Sequence, residues 1–126
     1  MVGNIGDPYT SRVLEMTEDS VTVAEVSSFQ LETIMDFRPN VSAILNITPD
    51  HLNRHGTMEN YTRIKECITL NQTEDDSVVL NYDDPVLREF GQDPDLKPKV
   101  TWFSSREKLA DGFCMSWDNI VYCQKW

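Results

Sequence analysis

The chain has 126 residues and a formal net charge of −10, with 21 acidic residues against 11 lysines and arginines. That length holds one core, and the acidity excludes nucleic acid and anionic membrane as partners, since both need a positive footprint. No apolar run reaches the ~20 residues of a membrane span, and no basic segment followed by an apolar one opens the chain, so a single cytoplasmic domain over 1–126 is expected.

In chain order, Val2 to Pro8 reads as a glycine-punctuated turn. Asp7-Pro8 then starts a helix to about Met16, as N-cap and first helical residue. Val21 to Val26 is a strand, and Ser27-Ser28 caps a helix over Phe29 to Asp36, with Gln30 in its first turn. Arg38-Pro39-Asn40 stops it, and the apolar run Val41 to Ile47 reads as a buried strand. That strand empties into Asn46-Ile47-Thr48-Pro49-Asp50-His51-Leu52-Asn53-Arg54-His55, where a carboxylate, both histidines of the chain and a guanidinium fall within six residues.

Thr57 is the expected N-cap of the longest helix, Met58 to Gln72, whose inward stripe is Met58, Tyr61, Ile64 and Ile68. Ser77 to Asn81 is a strand, Asp83-Asp84-Pro85 opens a helix to Phe90, and Val100 to Phe103 is a further strand. A final hairpin turns at Asp118-Asn119 and puts Phe113, Met115, Trp117, Ile120 and Tyr122 on one face. Strands alternating with helices predict an α/β fold, a mainly parallel sheet with flanking helices and a C-terminal antiparallel hairpin.

Turn residues 118 and 119 would set Cys114 opposite Cys123 at a non-hydrogen-bonded site, where a Cα separation of ~4.5 Å permits a disulfide. A cytoplasmic compartment keeps such thiols reduced. Cys67 sits alone in a helical pattern, and the spacing of the three cysteines does not read as a zinc site.

Glu25, His51 and Lys65 could carry chemistry. Glu25 ends one strand and His51 follows the end of the next, the edge at which open α/β sheets bind ligands, so the two can converge on one ion. A carboxylate with an imidazole suits Mg²⁺ or Mn²⁺. The plainer alternative is a loop histidine that only orders its own turn. A carboxylate inside an apolar strand is costly unless paired or bound to metal. Lys65 borders the apolar stripe. It either stays solvated above a buried stem, or loses enough hydration to become the neutral amine that adds carbon dioxide as a carbamate.

Glu25-Val26-Ser27-Ser28-Phe29-Gln30-Leu31-Glu32, then Asn46-Ile47-Thr48-Pro49-Asp50-His51-Leu52, then Tyr61 and Lys65 four apart, all preceded by Gly3-Asn4-Ile5-Gly6, resemble the central domain of the Mur ligase family. The Ser-Ser-Phe-Gln-Leu-Glu form is most similar to its D-glutamate-adding branch. The resemblance covers nearly the whole chain. It implies ATP-dependent amide formation in cytoplasmic peptidoglycan synthesis, with UDP-N-acetylmuramoyl-L-alanine, D-glutamate and ATP as substrates and two Mg²⁺ ions. The substrate carboxylate would take the γ-phosphoryl group as an acyl phosphate, from which the amine of D-glutamate displaces phosphate. By that resemblance Glu25 and His51 hold metal and Lys65, as a carbamate, supports the second ion, with His51 and Lys65 the catalytic pair. Asn4, Ser27, Phe29 and Gln30 lie against the muramoyl substrate, and Tyr61, Asp50 and Arg54 support the site.

Two departures stand out. Asn53 occupies a position where the family usually has aspartate. None of the five glycines precedes a lysine, so no G-x-x-x-x-G-K-[ST] phosphate loop exists in these residues. By the family's plan that loop lies upstream of Gly3, and the domain that brings the amino acid lies downstream. The sequence therefore reads as a fragment of a ligase that does not turn over alone. The alternative is a non-enzymatic truncated paralogue that binds nucleotide-sugar or self-associates through an exposed sheet edge.

Overall fold

The computed structural model of the chain describes residues 1–124, which group into two units, 1–34 and the remainder from Met35. In the first unit β1 (Val2–Gly3) lies parallel to β2 (Ala24–Glu25), with Val2 opposite Ala24 and Gly3 opposite Glu25. A side chain at Gly3, which has φ +113°, would run into the carbonyl oxygen of Glu25, so only glycine lets these backbones approach. Two short helical segments, α1 (Tyr9–Arg12) and α2 (Ser28–Leu31), accompany them.

Three expectations fail in this unit. The strand expected over 21–26 shrinks to two residues because β1 offers a partner backbone over Val2–Gly3 alone, leaving Val21 92% and Val23 66% exposed. Asp7 does not cap α1. Its carboxylate pairs with Arg12, Pro8 takes the capping position, and the helix gives way to a 3₁₀ turn over Val13–Glu15. The helix after Ser27 ends at Leu31 instead of Asp36, its one buried apolar side chain being Leu31.

The second unit is a five-stranded sheet in the order β3 (Val41–Ile44), β4 (Ser77–Asn81), β5 (Lys99–Ser104), β6 (Gly112–Ser116), β7 (Asn119–Cys123). Its first three pairings are parallel and the last is antiparallel, as the alternation of elements predicts. The crossovers carry α3 (Leu52–His55), α4 (Met58–Glu66) and α5 (Pro85–Phe90). Ile44, Ile47, Tyr61, Val78, Leu80 and Leu87 form the core, and Met58, Ile68, Val100 and Trp102 pack around it. The predicted helix stripe thus faces inward, and Thr57 caps α4 by accepting from the Asn60 N–H. Among the described residues no helix is long and apolar enough to cross a membrane.

β3 is not the fully buried strand expected over 41–47. Ser42 and Ile44 face the core while Val41 and Leu45 are 64% and 63% exposed, and ladder pairing stops at Ile44. Side chains take over there: Asn81 Nδ2 donates to the Leu45 carbonyl at 3.0 Å and Asp84 accepts from the Ile47 N–H at 2.7 Å. The long helix stops at Glu66 instead of Gln72, tightening into a 3₁₀ turn over Cys67–Thr69 as the Thr69 hydroxyl binds the Glu66 carbonyl. Gln72 is buried beyond it, accepting from Ser42 and donating to the carbonyls of Pro39 and Ser77.

The hairpin differs from expectation by one residue at its turn. Ser116 pairs with Asn119, so Trp117 and Asp118 form the loop, with Trp117 at φ 56°. Cys114 therefore lies opposite Val121, and Cys123 opposite Gly112. This register sets Tyr122 against Phe113 with rings 5.1 Å apart and lets the Tyr122 hydroxyl donate to Asp111. Phe113, Met115, Ile120 and Tyr122 share one face, and it is the exposed one.

Candidate functional site

The first unit gathers Asn4, Glu25, Ser27, Phe29 and Gln30 at the end of β2. The strand sets Glu25 at its last position, where Oε1 faces the Asn4 amide at 3.5 Å. Oε2 is buried and accepts no hydrogen bond, an arrangement that costs free energy for a carboxylate unless a cation takes the place of water. Ser27 and Gln30 bond to each other in a capping box. The Gln30 N–H donates to the Ser27 hydroxyl at 3.3 Å, and Gln30 Oε1 accepts from the Ser27 N–H at 2.9 Å. Phe29, between them in sequence, is 43% exposed.

The second unit holds Asp50, His51, Arg54, Tyr61 and Lys65. His51 is fixed in the left-handed conformation at φ 51°, ψ 28°, immediately before α3. Such backbone costs a non-glycine residue on the order of 1 kcal/mol and concentrates at functional sites. Asp50 holds it there, accepting the His51 N–H at 2.8 Å through Oδ1 and facing Nε2 at 3.4 Å through Oδ2. The ring of His51 stays about half exposed, whereas His55 is 5% exposed and packs 5.3 Å from the Tyr61 ring. The two histidines thus part company: His51 faces out of the loop and His55 belongs to the interior. Arg54 is exposed on α3.

Lys65 is half-buried on α4, one turn past Tyr61, with Nζ 5.9 Å from the centre of that ring. Burial raises the Tyr61 phenol above its usual range, and the nearby charge of Asp50 adds to it, so the ring keeps its proton and its neutral face. Among the described residues no three His, Cys, Asp or Glu side chains are grouped as a complete metal site.

The motifs singled out in the sequence do not include the residues that hold the strand exits together. A cleft of about 310 Å³ at the carboxyl ends of β3, β4 and β5 is lined by Thr48, Asn81, Asp83, Asp84 and Arg106 among others. Asp84 clamps the Ile47 N–H and caps α5 through the N–H groups of Val86 and Leu87. Asp83 accepts from the hydroxyls of Ser104 and Ser105 and the Ser105 N–H. Burial works to raise the Asp83 carboxyl, but those hydrogen bonds outweigh it and hold the group below its ordinary value. The signal for them is Asn-x-Asp-Asp-Pro directly after a strand, which sequence patterning explains fully as a helix start.

The model of the Mur ligase middle domain matches residues 3–122. The UDP-N-acetylmuramoylalanine--D-glutamate ligase of Lachnospira eligens is 56% identical over 122 residues, which cover 97% of this chain and 27% of that protein. The ligase of the same name from Lachnoclostridium phytofermentans is 56% identical over 97% of the chain and 26% of its own length, and that of Clostridioides difficile 48% over 96% and 26%. The chain thus spans about a quarter of the length of the relatives it matches. The order of the motifs, the parallel sheet with its terminal hairpin and the match across residues 3–122 agree: the chain belongs to the Mur ligase middle domain family.

Proposed function

We propose that the chain is part of an ATP-dependent ligase that joins D-glutamate to UDP-N-acetylmuramoyl-L-alanine in the cytoplasm, a step of peptidoglycan and hence cell-wall synthesis. The observation that carries this reading is identity of 48–56% across nearly the whole chain to relatives bearing that name. An acyl phosphate formed from the substrate carboxylate and the γ-phosphate of ATP would be the species that D-glutamate's amine attacks.

The chain's residues take defined parts in this reading. The unpaired, buried Oε2 of Glu25 suits a divalent cation, and His51 would be its second ligand, pre-set by Asp50 and the left-handed backbone. Bound Mg²⁺ would screen the negative charges of phosphate and carboxylate as they approach. Lys65 would act as a carbamate beside Tyr61. Asn4, Ser27, Phe29 and Gln30 would line the muramoyl substrate, Phe29 by its exposed ring and the other three by polar atoms. These 126 residues hold no phosphate-loop motif, so as an isolated polypeptide they would not turn over, because positioning and charge stabilisation supply most of phosphoryl-transfer catalysis.

Phosphate release from ATP tests both parts. A full-length protein carrying this chain is expected to release phosphate only when UDP-N-acetylmuramoyl-L-alanine and D-glutamate are both present, and another amino acid serving equally well would overturn the substrate assignment. The 126-residue polypeptide is expected to release none under the same conditions.

A further inference from the structure

The buried face of the terminal hairpin holds two thiols that the ligase reading does not use. Cys114 is 3% exposed and Cys123 half-buried, both are free, and their sulfurs lie 2.8 Å apart. The register explains the approach. Cys123 has glycine directly opposite, so no side chain fills the cross-strand position, and its sulfur leans to the diagonal neighbour, Cys114. Gly112 is itself held as glycine: at φ +132°, a side chain there would strike the Trp102 carbonyl oxygen. Cys67, by contrast, donates to the Arg63 carbonyl on α4 and has neither cysteine as a partner.

We propose that Cys114 and Cys123 form a dithiol site for low-molecular-weight disulfides, closing reversibly to an intrachain disulfide across β6 and β7. The more accessible Cys123 sulfur attacks one sulfur of the small disulfide, forming a mixed disulfide and releasing one small thiol that carries off the proton. Cys114 then attacks the Cys123 sulfur, the protein S–S bond forms and the second small thiol leaves with the second proton. The two protein thiols supply the two electrons, and the small disulfide is reduced to two thiols. A bonded pair needs the sulfurs to close to about 2.05 Å, a movement available to rotation about the cysteine side chains without shifting the ladder. Hydrogen bonding to Cys114, with burial, raises the Cys123 thiol, which keeps the resting pair protonated until an oxidant reaches it.

The test is intact mass and peptide mapping of the purified protein, reduced, freed of reductant and incubated with oxidised glutathione. The expected product has lost two hydrogen atoms, carries no glutathione and yields one linked peptide pair containing Cys114 and Cys123, which dithiothreitol separates. The Cys67→Ser protein is expected to close in the same way, and Cys123→Ser to give no cross-link. A stable glutathione adduct on Cys123 with Cys114 still open to alkylation, a cross-link through Cys67, or an unchanged mass would each overturn the proposal. Because the wild-type map and Cys67→Ser decide the matter by themselves, poor folding of Cys123→Ser would leave the result readable.

Discussion

The Asp84 carboxylate accepts the backbone N–H of Ile47 at 2.7 Å, and its other oxygen accepts the N–H groups of Val86 and Leu87. One side chain therefore fixes both the start of the His51 loop and the first turn of α5. In Asp84→Ala the helix loses its cap and a partly buried N–H loses its acceptor, a destabilisation of about 1–3 kcal/mol. Asp84→Asn, which still offers an oxygen, is expected to lose less. Urea unfolding midpoints of the two variants measure the difference, and equal midpoints for wild type and Asp84→Ala would show that the clamp is idle.

Metal binding to the isolated 126 residues is expected to be weak and to depend on Glu25 and His51. Two protein ligands leave most of the coordination shell to water. Mn²⁺ should broaden resonances near both residues in the wild type and spare them in the Glu25→Ala, His51→Ala double variant. Broadening that survives the double substitution would place the ion elsewhere.

Lys65 of the isolated polypeptide is expected to remain an uncarbamylated ammonium. Its position over the Tyr61 face favours the cation, by about 0.5–1 kcal/mol for such contacts, and the carbamate can form only from the neutral amine. Incubation with ¹³C-bicarbonate at neutral pH should give no carbamate carbonyl resonance. A signal that disappears in Lys65→Arg would contradict this.

Acid should loosen the second unit through Asp76. Its carboxylate, 2% exposed, accepts from Arg38 Nε and the Thr73 N–H, each at 2.8 Å, and the Arg38 bond is the main cause holding its carboxyl below the ordinary value. A carboxyl depressed in the fold contributes stability above its unfolded pKa of ~3.9, and that contribution vanishes as pH falls through the folded value. Asp76→Asn should therefore be less stable than wild type at pH 7, with the gap narrowing below about pH 4. A constant gap from pH 7 to pH 3 in thermal melts would rule this out.

The parts of the fold legible in the sequence are those in which local chemistry and burial agree. Ser77–Asn81 alternates, its neighbours pair with it fully, and its limits match the expected ones. Val41 to Ile47 looks continuous because apolar composition cannot show that Asn81 and Asp84 replace the ladder at Leu45 and Ile47. In the hairpin, the expected and observed registers differ by two positions along β7, which leaves every side chain on the same face. Hydrophobic patterning is blind to such a slip, and the turn decides it. In the site, His51 and Lys65 are visible by residue type, but the division of labour between His51 and His55 depends on the packing of Tyr61. Asp83 and Asp84 are hidden because a helix start already accounts for them.

The strand order of the larger sheet, β3 through β7, repeats the order of the chain. Every strand meets its successor, with Val41 against Ser77, Ser77 against Lys99 and Phe103 against Phe113, and the intervening loop shortens at each step. A growing polypeptide can therefore add each strand to an edge already present, with no gap held open for a later segment. Loop-closure cost falls as synthesis proceeds, so the slow event is the first crossover, from Val41 to Ser77, and the later strands zipper on progressively faster toward the hairpin.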